Sequence, residues 1–145
     1  MKSMVENELD LWPPDLGVSD PPRSPVNILR QQAAALSGKL NKRVIARVET
    51  RRIASGDAFF GRHKTQRLIG QLQHRMLLVV PDLDNYELEL LMLVHGEESY
   101  PIMARLKAEP LVRIQNEEEL LGWLRQAFAS DITRRALSSL LSLVQ

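Results

Sequence analysis

Three observations predict an α+β fold: a helix start at Ser24-Pro25 followed by an apolar stripe, a long central stretch of period-two alternation cut by turn clusters, and two amphipathic helical segments near the C-terminal end. The predicted order is an acidic Pro-rich arm over 1–24, then one α+β domain over 25–145. That domain holds an N-terminal helix, a four-stranded antiparallel meander sheet and two C-terminal helices. A chain of 145 residues, 44% hydrophobic and 26% charged, has enough apolar material for one such core.

The arm contains five acids, and five of the eight prolines fall between Pro13 and Pro25. Trp12-Pro13-Pro14 and Asp20-Pro21-Pro22 cannot continue a helix or a central strand, because each proline lacks an N–H and restricts the residue before it. Leu9, Leu11, Trp12, Leu16 and Val18 are too many apolar residues for a purely solvated tail. The arm is therefore expected to dock, either on its own chain or on another.

Ser24 is a suitable N-cap and Pro25 a suitable first helical residue. A helix follows to about Ser37, with Ile28, Leu29, Ala33 and Leu36 on one stripe and Gly38 as the expected left-handed cap. From Lys42 to Ile53, Val44, Ala46 and Val48 alternate with Arg43, Arg47 and Arg51, which predicts a first strand with a basic outer row. Residues 54–65 carry Gly56 and Gly61 around Phe59-Phe60 and read as a loop.

Gln66 to Val80 forms the predicted second strand, with Leu68, Leu72, Met76, Leu78 and Val80 inward and Arg67, Gln71, Gln73 and Arg75 outward. After the turn cluster 81–85, strict alternation places Tyr86, Leu88, Leu90, Met92 and Val94 on the inner face of a third strand and Glu87 and Glu89 on the outer face, within reach of Arg75. Tyr100 to Lys107 is the fourth strand, with Pro101 tolerable on an edge. Asn116 followed by Glu117, Glu118 and Glu119 opens one C-terminal helix, since carboxylates favour the positive end of the helix dipole. Ser130 or Asp131 opens the other.

Charge is distributed unevenly behind a net +1: the segments 1–22, 23–75 and 76–145 carry −4, +10 and −5. Arg43, Arg47, Arg51, Arg52, Arg62, Lys64, Arg67 and Arg75 would together present a cationic sheet face able to meet phosphates. Interleaved aromatic stacking platforms are missing from that face, and Glu87, Glu89 and the acidic arm offer internal counter-charge. Toward one end of the same outer face, Leu77, Val79, Leu91 and Leu93 replace the charges, which suggests an apolar contact surface.

No motif carries chemistry. The absence of cysteine excludes a disulfide framework, a thiolate nucleophile and Cys-ligated zinc. Gly56 to Thr65 has a Gly-x4-Gly spacing, but Arg62-His63 interrupts the phosphate-loop register and a strand follows where a helix is needed. Asp82 to Glu87 opens like a calcium loop, yet Glu87 stands where glycine is required. His63, His74 and His95 have no i, i+4 partner, and no serine sits in a nucleophile elbow.

The expectation is therefore a non-catalytic, cytoplasmic protein–protein interaction module of adaptor, chaperone-like or inhibitor type, self-associating and without a metal or cofactor. Leu77, Val79, Leu91, Leu93 and Trp12 are the expected contacts, with a protein partner or a second copy and no membrane. Nucleic-acid binding by the arginine face is the alternative.

Overall fold

The computed structural model describes residues 9–17, 23–53 and 71–144. Helix α1 spans Pro25–Lys39, and the Ser24 hydroxyl accepts the Asn27 N–H at 3.2 Å, capping it as expected. The helix runs two residues beyond the expected end, and Gly38 is not the left-handed residue. That conformation falls to Asn41 (φ 53°) and Lys42 (φ 59°), whose N–H groups donate to the Gly38 and Ser37 carbonyls. Ser37 ties the helix end to the sheet: its hydroxyl donates to the Ala33 carbonyl and accepts the Ala46 N–H, both at 2.9 Å.

The sheet is an antiparallel meander of five strands in chain order: β1 (Ile45–Arg52), β2 (Leu72–Val80), β3 (Tyr86–His95), β4 (Ile102–Leu106) and β5 (Val112–Ile114). Four strands were expected. The fifth is three residues long and follows Pro110, too short for alternation to reveal. Its presence makes β4 an interior strand, and Pro101 lies just before β4 rather than within an edge strand. The expected loop 54–65 and the first residues of the expected second strand, 66–70, lie outside the described residues.

Three helices cover one face of this sheet: α1, α2 (Glu117–Ala129) and α3 (Asp131–Ser142). Asn116 caps α2 by accepting the Glu119 N–H at 2.9 Å, and Ser130 caps α3 by accepting the Thr133 N–H at 3.3 Å. Ile28 and Leu29 of α1, Leu120 of α2 and Leu140 of α3 meet Leu78 and Leu91 of the sheet in the main core. A smaller cluster of Ile53, Met92 and Val94, flanked by Met103 and Leu111, lies on the opposite face.

A β-bulge decides which side chains reach each layer. In the β2–β3 ladder Leu77 pairs with Glu89 but Met76 pairs with Leu91, so Leu90 is the extra residue. Leu88 and Leu90 face the helices before the bulge, and Leu91 and Leu93 face them after it, while Met92 and Val94 turn outward. This corrects the expected strict alternation, which put Met92 and Val94 inward and Leu91 and Leu93 outward. One inserted residue reverses the parity of everything beyond it.

Candidate functional site

The outer face of the sheet holds the arginine row. The register sets Arg47 opposite Leu77, Glu49 opposite Arg75 and Arg51 opposite Gln73. Arg75 donates to Glu49 at 2.7 Å and to Glu89 at 3.2 Å, and Arg47 donates to Glu49 at 2.9 Å and also bonds Glu87. Two guanidinium groups and three carboxylates thus form one lattice across β1, β2 and β3. Partial burial works against the charge on Arg75, but hydrogen bonds from Glu49 and Glu89 outweigh it and raise its pKa. Arg51 donates to the buried Gln73 amide oxygen at 2.6 Å.

Of the remaining cationic candidates, Arg43 reaches back to the Leu40 carbonyl and Arg52 ends β1 as an exposed residue. Arg62, Lys64 and Arg67 lie outside the described residues. The expected apolar patch is divided between layers. Leu91 and Leu93 are fully buried under the helices, while Leu77 and Val79 do sit on the outer face but are 2% and 5% exposed. None of the four is available at the surface. That burial corrects the expectation that they form an open contact face.

The bulge also creates a feature that alternation concealed. It brings His95 to the same face as His74, and their Nε2 atoms stand 2.8 Å apart in a buried pair. Thr50 Oγ1 lies 2.8 Å from His74 Nδ1, and His95 Nδ1 lies 2.8 Å from the Gly96 carbonyl. A carbonyl can only accept, so His95 Nδ1–H donates to Gly96, His74 Nε2–H donates to His95 Nε2, and the Thr50 hydroxyl donates to His74 Nδ1. Burial, then the neighbouring His95 and Arg30 on α1, lower the His74 pKa to about 4. Every ring nitrogen has a hydrogen-bond partner, and the pair links β1, β2 and β3. No group of three potential metal ligands occurs among the described residues.

The arm differs from both. Leu11 is 91% and Trp12 75% exposed, and Leu9 and Leu16 are exposed beside them. The segment is shaped by its own aspartates: Asp10 accepts the Trp12 N–H at 3.1 Å and Asp15 accepts the Gly17 N–H at 2.9 Å, where Gly17 adopts φ 73°. Near the arm's C-terminal end, Arg23 is fixed to Glu117 of α2 by a 2.8 Å ion pair.

Comparison with protein-family models, curated proteins and solved structures found no match to this chain.

One further concave feature went unanticipated. A cleft of about 500 Å³ opens between the start of β3, the end of β4 and helix α3, walled by Tyr86, Leu88, Ile132, Leu140 and Leu143 with Lys107 and Arg135 at its polar edge. Tyr86 shares the inner face of β3 with Leu88, as expected, but it stands at the strand's open end, 51% exposed, and lines the cleft with a 53% exposed Leu143. The sequence clue was an apolar residue directly after a turn and another just past the last described helix. No helix among the described residues is long and apolar enough to cross a membrane.

Proposed function

We propose that this chain is a non-catalytic protein-interaction module, adaptor-like, chaperone-like or inhibitory in type, that self-associates and uses its acidic arm as the contact element. The observation that carries this reading is the exposure of Leu11 and Trp12, with Leu9 and Leu16, on a segment held in shape by two aspartate turns. Exposed leucine and tryptophan gain roughly 25 cal/mol per Å2 of apolar area when a partner covers them, and aromatic anchors of this kind dominate interface energetics. Pre-formed turns lower the ordering cost of binding. The lack of cysteine fits a cytoplasmic setting.

Nucleic-acid binding through the arginine row has less support, because Arg47 and Arg75 are already engaged by three glutamates. The test uses Trp12 as its own reporter. The chain has two tryptophans, and a Trp123→Phe variant leaves Trp12 alone. Its emission should be that of a solvated indole when dilute and should shift to the blue as concentration rises. Emission that stays solvent-like up to high concentration contradicts self-association through the arm.

A further inference from the structure

Among the described residues, the exposed large apolar side chains are Leu9, Leu11, Trp12 and Leu16 in the arm, Tyr86 and Leu143 on the cleft walls with Leu83 in the turn before β3, and Leu72 and Val112 singly on β2 and β5. We infer that the β3–α3 cleft is the receptor for the arm of a second copy of this chain, an inference that rests on the arm being the contact element.

Shape and charge both support this occupant. The cleft's volume of about 500 Å³ lies within the range of sites that enclose a ligand, and it is apolar at its base, as a tryptophan and neighbouring leucines require. Lys107 and Arg135 line it against a single acid, Glu109, and neither cation makes an ion pair among the described residues. Segment 9–17 carries Asp10 and Asp15 and no cation, and residues 1–22 together carry five acids and one lysine. An acidic apolar segment and an apolar cleft with free cations are complementary, and both belong to the same chain.

The arm's own chain leaves it exposed while Arg23 is tied to Glu117, which favours docking between copies over docking within one. Reciprocal exchange closes a two-fold dimer in which each copy gives one arm and receives one. Once the first arm is seated the second docks at high effective concentration, so two modest contacts produce a durable dimer.

The natural absence of cysteine allows a direct test on the full chain. Two double variants that leave Asp10 and Asp15 intact, Pro13→Cys with Ser139→Cys and Ser19→Cys with Ser139→Cys, place a thiol beside Trp12 or past the segment's C-terminal end, opposite the cleft that Ser139 lines. After mild oxidation, a covalent dimer of twice the 16.5 kDa chain mass is expected, with the arm-to-139 linkage found by peptide mass spectrometry. A control pairing Pro13→Cys with Glu97→Cys, in the turn at the far end of β3 from Tyr86, should give at least roughly tenfold less linkage. A monomer with the linkage inside one chain overturns docking between copies, and absence of the linkage in both variants overturns the cleft as receptor. If the linkage is absent while Trp12 emission still shifts with concentration, only the receptor assignment fails. If Trp12 emission is unmoved as well, the arm reading fails with it.

Discussion

On the outer sheet face, Arg47 and Arg75 meet Glu49, Glu87 and Glu89, and Leu77 and Val79 are buried beside them. On the arm, Leu9, Leu11, Trp12 and Leu16 stand in solvent, and among the described residues Asp10 and Asp15 bond to the arm's own backbone. The contrast separates density of chemical groups from capacity to bind. A guanidinium that already holds two carboxylates gains little by exchanging them for a new anion, since old contacts and hydration must both be given up. An exposed indole gives up only water, which is favourable. On the proposed reading, interaction capacity belongs to the region that looks less organised.

The comparison breaks most visibly under charge insertion. Leu91→Asp places a carboxylate under the helices and is expected to cost at least about 4 kcal/mol, enough to unfold a marginal domain. Leu11→Asp should change stability by less than about 0.5 kcal/mol. Urea unfolding followed by circular dichroism checks both, and equal effects would erase the distinction between the regions.

Acid sharpens it next. His74 titrates near 6.5 when unfolded and about 4 when folded, so between those values the unfolded chain binds more protons. Stability is then intact above pH 6.5 and declines as pH falls toward 4, by up to about 3 kcal/mol from this group. The groups facing His74 are Thr50 on β1, His95 on β3 and Arg30 on α1, and both His95 and the Arg30 guanidinium oppose its protonation. A His74→Gln variant should show a shallower loss over that window than the parent, and parallel curves would contradict the assignment.

Smaller still is Arg75→Ala, which releases Glu49 and Glu89 from a partly exposed lattice and should cost about 1 kcal/mol in urea unfolding. A cost near zero would mean the lattice is replaced by water without loss. The smallest expected effect joins Lys107→Glu with Arg135→Glu: stability unchanged and self-association weakened roughly fivefold at low ionic strength, with the difference shrinking in high salt. Sedimentation at two salt concentrations measures it, and unchanged association would remove these cations from the contact.

Much of the fold was legible because local signals agreed. Ser24-Pro25, Asn116 and Ser130 each fixed a helix start through capping, and Ile28, Leu29 and Ala33 of the expected α1 stripe are buried. The ion pair of Arg75 with Glu89 was also readable, although the two stand on opposite sides of the bulge in the ladder, because both stay on the outer face. What was not readable follows mostly from Leu90. Period-two counting assumes an uninterrupted ladder, so the bulge misplaced Leu91 and Leu93 and hid the meeting of His74 with His95. The cleft was invisible for a different reason: Tyr86, Ile132 and Leu143 come together only through tertiary packing between β3 and α3.

The most direct test is light scattering on the full chain and on a Leu11→Asp, Trp12→Asp variant, at low and high salt, with absorbance at 260 and 280 nm across each peak. The account predicts a salt-resistant species of twice the 16.5 kDa chain mass with a protein-only spectrum, reduced to a single chain in the variant. A variant that assembles like its parent, or excess 260 nm absorbance lost at high salt, would contradict the arm as the contact and return the arginine face to consideration.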